Sequence, residues 1–244
     1  MTVTTKETKE VTSPSKHEIM TVYNVRRYGA AGRIYHWIHA AAMMLFISTG
    51  WQIYTQDLIL GDMGIVRAIH ISLGIFIILW DLICQPALLA IDGHFKDIIP
   101  TPGDVRDLIV IFLCTLRIIG DEHYPHYDFY DPDLGIYIRK YHPGQKFLSI
   151  TDMVAMLFMG STGIAMAEAA QAGSTGIMSF MTVFNIILVP FLDLFGISFR
   201  LFHFFLFIFF TLTTFFHIYF ALIPQNIARL KAMVTGTEDI SGEN

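Results

Sequence analysis

Four long apolar segments alternate with polar stretches along the chain. They cover about residues 34–54, 65–91, 147–167 and 198–223. A helix crosses a bilayer with about 20 mostly apolar residues, so each segment is long enough to span. The pattern predicts an all-α integral membrane protein, with a four-transmembrane-helix bundle formed by residues 23–226.

Two further apolar segments are poorer candidates for spans. Charged residues interrupt 104–119, and Pro190 and Asp193 interrupt 177–195. We expect both to lie at the membrane surface as interfacial helices, the second on the outer face or as a re-entrant segment.

The two ends of the chain are polar. Residues 1–22 are rich in Thr, Lys, Glu and Ser and have no apolar core, which predicts a disordered tail and not a signal peptide. Residues 227–244 are expected to form a C-terminal tail.

The composition agrees with a membrane protein. Hydrophobic residues make up 54% of the 244 residues and charged residues 15%, whereas a soluble domain carries about 25% charged residues. The net charge of -5 offers no basic surface for nucleic acid. The 2 cysteines form neither CxxC nor CxxCH, so no iron–sulfur cluster and no covalent c-type haem are expected in this chain.

The basic residues predict the orientation of the spans. With four spans, Arg67 and Arg200 fall on one side, and the other 14 of the 16 Lys and Arg residues fall on the opposite side. Because basic residues concentrate in cytoplasmic loops, both termini are predicted to be cytoplasmic.

Four histidines lie inside the predicted spans, where ionisable residues are rare and mark functional sites by default. His36 lies near the inner surface in span one, and His70 near the outer surface in span two. Span four holds His203 near the outer surface and His217 near the inner one. Their separation of 14 residues leaves them within about 40° of the same helix face and about 21 Å apart in depth.

Depth therefore predicts two histidine pairs, His36 with His217 on the inner side and His70 with His203 on the outer side. Stacked pairs in a bundle are a ligand set for two b-type haems. An iron with two histidine ligands has no open position, so it carries electrons and does not bind oxygen. His39 is a weaker candidate, because nothing at its depth is predicted to pair with it.

Arginine precedes three of these histidines by three residues, a spacing that keeps two side chains on one helix face. Each arginine lies nearer to the membrane surface than its histidine, where it is predicted to pair with a haem propionate. The pairs are Arg33 with His36, Arg67 with His70, and Arg200 with His203.

These segments resemble a known family. GRIYHWIHAAAMMLFISTG in span one resembles the RxxHW…TG signature of the b-type cytochrome subunits of membrane-bound nickel–iron hydrogenases and formate dehydrogenases. RLFHFF…FFHIYFAL in span four and the C-terminal AMVTG resemble the same proteins. KYHPGQKF is similar to the KYNxGQK box of formate dehydrogenase gamma subunits, and PGDVRDL fits that subgroup. The resemblance covers about residues 24–235.

The resemblance implies a subunit that anchors a hydrophilic oxidoreductase to the prokaryotic cytoplasmic (inner) membrane. Electrons would arrive from the iron–sulfur subunit of a hydrogenase or formate dehydrogenase. They would cross from an outer haem b held by His70 and His203 to an inner haem b held by His36 and His217. A quinone-type carrier would be reduced at this subunit, near the cytoplasmic face.

The KYNxGQK box helps to form the quinone pocket in that family. It maps here to Tyr141, His142, Gly144, Gln145 and Lys146. His142 stands where Asn is usual, so menaquinone, ubiquinone and methanophenazine all stay open as carriers. His142 either serves the carrier as a hydrogen-bond or proton donor or is an ordinary histidine at a helix start.

Carrier reduction consumes two protons, and two carboxylates are candidates for delivering them. Asp81 lies late in span two, and Asp152 lies in the first turns of span three. Each also has an ordinary explanation: Asp81 pairs with a base near the headgroups, and Asp152 favours the helix N-terminus.

Two other functions compete with the electron-transfer subunit. One is a stand-alone transmembrane electron-transfer protein like cytochrome b561. The other is a haem-free proton-coupled transporter with buried relay histidines, although the sequence lacks the internal repeat typical of transporters.

Overall fold

The structure, a computed structural model, describes residues 6–8, 21–57, 59, 61–91, 96–131, 134–169 and 182–242. The chain divides into two compact units whose segments interleave in sequence. The first unit, here the polar unit, contains 1–34, 92–147 and 218–244; the second, the bundle unit, contains 35–91 and 148–217.

Helices dominate the described residues. They are α1 (Ala30–Thr55), α2 (Met63–Leu79), α3 (Gln85–Ile91), α4 (Pro102–Thr115), α5 (Pro143–Ala169), α6 (Asn185–Phe195), α7 (Phe199–Leu222) and α8 (Ile227–Thr235). A π-helical turn, Trp80–Cys84, joins α2 to α3 without a break, and short 3-10 turns cover Lys96–Ile98, Asp121–His123 and Pro224–Asn226.

Three helices in the described residues are long and apolar enough to cross a membrane: Met63–Leu88, Pro143–Ala169 and Phe199–Leu222. α1 is as long, with 26 residues, but its two histidines, tyrosines and tryptophans lower its hydropathy. Many large apolar side chains are exposed on these helices, including Phe205, Leu212 and Phe215 of α7, as expected for surfaces that face lipid.

The core of the bundle unit is apolar. Met43 and Phe46 from α1 pack with Ile77 and Ile78 from α2, and with residues of α5 and α7. Apolar side chains at helical spacing fill this core, so packing holds these helices together there.

The polar unit contains two small antiparallel sheets. In the first, β2 (Thr21–Arg26) pairs with β1 (Lys6–Thr8) on one side and with β5 (Thr237–Gly242) on the other. In the second, β3 (Phe129–Asp131) pairs with β4 (Ile136–Ile138). Residues 6–8 and 21–22, in the range predicted to be disordered, thus form strands, because β2 pairs with both β1 and the distant β5, and a local sequence pattern does not reveal these pairings. The rest of that range, 1–5 and 9–20, lies outside the described residues.

A buried arginine links these strands. The guanidinium of Arg27, 5% exposed, binds Asp128 and Glu238 at 2.7 Å each, and Arg229 binds Asp128 at 2.8 Å. Burial alone would lower the pKa of Arg27, but the hydrogen bonds and negative charges of Asp128 and Tyr28 together outweigh that effect, and the pKa is raised. The group stays charged, and it connects segments that are 101 and 211 positions apart.

α4 has its apolar face outward. Asp104 and Asp107 are 4% and 5% exposed, whereas Val105, Ile109 and Phe112 are 47–60% exposed. Thr101 caps the helix in a reciprocal hydrogen-bond arrangement with Asp104, which also binds Lys146 at 3.1 Å. Burial raises the pKa of Asp104, but the bonds from Thr101 and Lys146 outweigh it and lower the pKa overall. The two acidic residues of 104–119 therefore point into the polar unit, whereas Arg106 and Arg117 are exposed.

α6 accounts for part of the other uncertain segment. It has 11 residues and, even with 182–184, belongs to the shorter apolar helices. Residues 177–181 lie outside the described residues.

Candidate functional site

The bundle unit brings His70 of α2 next to His203 of α7. Their ring centroids are 6.5 Å apart and their planes meet at 69°. With metal–nitrogen bonds of about 2.0 Å, two imidazoles on opposite sides of one metal have centroids ~6 Å apart. The spacing therefore fits one metal ion between the two rings.

A threonine fixes the orientation of each of these rings. Thr49 Oγ1 lies 3.0 Å from His70 Nδ1, and Thr162 Oγ1 lies 2.9 Å from His203 Nδ1. Each hydroxyl also bonds a carbonyl one turn earlier, at 2.9 Å from Thr49 to Leu45 and 2.8 Å from Thr162 to Phe158. Since the single hydroxyl proton goes to a carbonyl, the oxygen accepts from Nδ1–H. This tautomer leaves the Nε2 lone pair for a metal, the arrangement seen around most metal-binding histidines.

A glycine follows each threonine and lets the imidazole approach the helix. A Cβ at Gly50 would lie 3.1 Å from His70 Cε1, and a Cβ at Gly163 would lie 3.2 Å from His203 Cε1. Any side chain at either position would push the ring. Each histidine of the outer pair thus lies in a cradle formed by a threonine and the glycine that follows it. The tripeptide Ser-Thr-Gly, at 48–50 and again at 161–163, is the sequence signal for this cradle.

The inner pair is built differently. His36 of α1 and His217 of α7 have ring centroids 6.1 Å apart, with planes at 49°. The Nδ1 atom of His36 is buried and has no hydrogen-bond partner within the described residues. The spacing again fits one metal between two rings, and a buried nitrogen without a partner is consistent with a site built to hold a further group.

His39 lies beside a carboxylate and not beside another histidine. Its Nδ1 lies 2.9 Å from Asp81 Oδ1, which also accepts a 2.8 Å hydrogen bond from Tyr35 Oη. Asp81 lies in the π-helical turn, and its contact with His39 agrees with the explanation that it pairs with a base. Asp152, the other candidate carboxylate, is half-buried on α5, and its Oδ1 has no partner in the described part of the chain.

The three arginines have different surroundings. Arg67 and Arg200 are exposed, with no partner in the described residues. In the polar unit, Arg33 donates to the carbonyl of Val234, and its buried Nε atom has no partner among the described residues. A role as propionate ligands stays a prediction for all three.

The HPGQ stretch forms the start of α5. His142 is the residue before the helix, Pro143 is its first residue, and the backbone N–H of Gly144 donates to His142 Nδ1 at 2.9 Å. Gln145 Oε1 accepts from the backbone N–H of His142 at 3.0 Å. This is a reciprocal capping box, in which His142 does the work of the Asn that is common at this position. Tyr141 lies beside Lys140, whose ammonium is 5.8 Å from its ring centre.

Capping also fixes the chemistry of His142. Burial, and then the positive charge of Arg229, lower its pKa, so the ring is neutral at neutral pH. Because Nδ1 accepts from Gly144, the proton must be on Nε2. Tyr127 packs edge-on against the ring at 4.4 Å. His142 is thus a hydrogen-bond donor with a fixed tautomer, opposite to that of the outer pair.

The chain is similar to the "F420 non-reducing hydrogenase II cytochrome subunit" of Methanosarcina mazei, with 29% identity over 151 residues, which are 58% of this chain and 54% of the relative. The chain therefore spans about half the length of the curated relative it matches. No protein-family model matches the chain, and no solved structure matches it.

Proposed function

We propose that the chain is the membrane-anchor cytochrome b subunit of a membrane-bound oxidoreductase. It passes electrons from a partner iron–sulfur subunit, through two bis-histidine haems b, to a lipid-soluble carrier. The observation that carries the proposal is the presence of two facing histidine pairs, at 6.5 and 6.1 Å, served by two histidines of α7. A bis-histidine haem supplies one-electron transfer with no open coordination position.

The chain's own residues hold and orient these groups. His70 and His203 bind the outer haem iron, and Thr49 and Thr162 keep their Nε2 atoms available. His36 and His217 bind the inner one. The free guanidinium groups of Arg67 and Arg200, each one turn before an outer histidine, pair with propionates. Arg33 has the same spacing from His36, and its bond to Val234 leaves further donors for a propionate.

Four membrane spans follow from this arrangement. α1 spans with the three more apolar helices, because His36 must meet His217 within the bundle unit. Both termini and most basic residues are cytoplasmic by the charge asymmetry. The outward apolar face of α4 supports a position in the membrane interface.

The donor is a hydrogenase or a formate dehydrogenase. The name of the relative favours a hydrogenase, whereas the KYHPGQK box resembles formate dehydrogenase gamma subunits. The carrier is a quinone or methanophenazine. His142 donates its Nε2–H to a carbonyl or ring nitrogen of that carrier, and Tyr141, Gly144 and Gln145 shape the pocket and hold His142 in place. Asp81 and Asp152 supply protons.

The test is a reduced-minus-oxidised spectrum with haem counted per chain, on the membrane-extracted complex. We expect two b haems per chain. His203→Ala and His217→Ala each reduce the count to one, whereas His123→Ala keeps two, since His123 is exposed and outside the bundle unit.

Other outcomes discriminate between the alternatives. One haem in the unmodified chain contradicts one of the two pairings. No haem overturns the electron-transfer function and favours the transporter. Two haems without a copurifying iron–sulfur subunit favour a stand-alone protein like cytochrome b561.

A further inference from the structure

A second polar cluster lies in the bundle unit, separate from the two histidine pairs. Asp81 Oδ1 accepts from Tyr35 Oη at 2.8 Å and lies 2.9 Å from His39 Nδ1. The side chains of Asp81 and His39 are 17% and 29% exposed. One carboxylate oxygen thus meets two groups that can carry a proton.

The backbone is modified at this carboxylate. Asp81 lies in the five-residue π-helical turn Trp80–Cys84, between two regular helical segments. π-turns inside α-helices occur frequently at functional sites, because the extra residue changes the direction of the side chains. The Trp80 ring stacks on Tyr35 with centroids 5.8 Å apart, which shields the cluster on one side.

Polar atoms remain free around the cluster. Trp80 Nε1 and Asp152 Oδ1 are buried and have no hydrogen-bond partner in the described residues. Tyr35 and His39 lie one residue before and three residues after His36 on α1, so the cluster adjoins the inner histidine pair. The titratable groups that face the cluster are Tyr35, His36 and His39 from α1, Cys84 from the π-turn, Asp152 from α5 and His217 from α7.

We propose that Asp81, held by Tyr35 and His39, binds a proton when the inner histidine pair's metal site gains an electron. This inference rests on the proposed function. An electron added in a medium of low dielectric constant raises the energy of nearby negative charge. Protonation of the Asp81 carboxylate compensates for it: the electron comes from the chemical reductant, the proton comes from water, and one O–H bond forms.

The alternative is a purely structural ion pair in which Asp81 and His39 attach α1 to the π-turn. Both readings expect Asp81→Asn to disturb the cluster. Only the proton-binding reading links that carboxylate to the reduction potential of a haem.

The experiment is a redox titration at several pH values on the haem-loaded full chain in nanodiscs, with dithionite as reductant. We expect the midpoint potential of one haem to fall as pH rises, and the slope to disappear in Asp81→Asn but to persist in Asp81→Glu. Asp193→Asn is the matched control, because it removes an exposed carboxylate of the same unit and should keep the slope.

Infrared difference spectroscopy gives a second readout, measured first on the unmodified chain. Reduction of the unmodified chain should produce a protonated-carboxyl C=O band, and Asp81→Asn should lack it. A wild-type spectrum without this band overturns the inference, as does an unchanged slope in Asp81→Asn with two haems bound. A chain that binds no haem overturns the proposed function, and this inference with it.

Discussion

The two units bury polar groups in different ways. In the bundle unit, His70 and His203 are neutral rings whose Nδ1–H groups donate to threonine hydroxyls. In the polar unit, the buried groups are paired charges around Arg27 and Asp128. Neutral hydrogen bonds are suited to a region that faces hydrocarbon, where a charge is expensive, and ion pairs are suited to a region that water reaches.

The two units also differ in the tautomers of their histidines. His203 donates through Nδ1 and leaves an Nε2 lone pair, whereas His142 accepts at Nδ1 and leaves an Nε2–H. The first can bind a metal and the second can donate to a ligand. The hydrogen-bond partner of Nδ1 therefore determines the chemical role of each of these two histidines.

The largest stability effect is expected at the charge network of the polar unit. Arg27→Ala leaves Asp128 with Arg229 as its remaining basic partner in the described residues, so we expect a loss of at most about 3–5 kcal/mol, the cost of an uncompensated buried charge. Thermal unfolding in detergent and hydrogen exchange of β2 and β5 measure the loss. Arg26→Ala is the control, since Arg26 is the exposed preceding residue at the end of β2. Equal stability of the two variants would contradict the view that buried ion pairs stabilise the polar unit.

The next effect is expected at the outer pair. Gly163→Val places a side chain where a Cβ already lies 3.2 Å from His203 Cε1, so it displaces the ring and one of two haems is lost. Haem counting checks this. Gly32→Val is the control, because a Cβ at that position meets nothing within 4 Å. Retention of both haems in Gly163→Val would show that the cradle is irrelevant to cofactor binding.

A smaller effect is expected from the hydroxyl behind His203. Thr162→Val keeps the shape but removes the acceptor for Nδ1–H, and loss of such an outer contact lowers metal-site affinity by about 10–100-fold. Competition for haem with a haem-binding protein measures it. Thr211→Val is matched, because the Thr211 hydroxyl bonds only the Phe207 carbonyl among the described contacts. Similar affinities would mean that the threonine does not select the tautomer.

Parts of this arrangement could be predicted from the sequence. The four long helices follow from apolar run lengths, and the facing of His36 with His217 and of His70 with His203 follows from depth and helical period. Their role in haem binding stays a prediction.

Other parts could not be predicted from local patterns. The period of apolar residues does not reveal the π-turn, so the contact between His39 and Asp81 was missed. The Arg27 network joins residues up to 211 positions apart. The pairing of β2 with β5 likewise has no signature in the local sequence of either strand. The burial of Asp104 and Asp107 was not predictable either, because their basic partners Lys146 and Arg139 are 42 and 32 positions away.

The last and smallest effect concerns His142. His142→Ala removes the cap from α5, at a cost of about 0.5–2 kcal/mol, whereas His142→Asn keeps it. Because the folded-state pKa of His142 is lowered, the cap contributes fully above the ordinary value of about 6.5. Its contribution is lost as pH falls through the lower folded-state pKa, since a protonated Nδ1 cannot accept from Gly144. The protection factors of the amides in the first turn of α5, which correct for the slower intrinsic exchange in acid, should therefore fall in acid in the unmodified chain. His142→Asn should show no acid-dependent change in the first turn of α5. If it did, the acid response would come from another group. The opposite tautomers of His142 and His203 would then not explain how the two units differ.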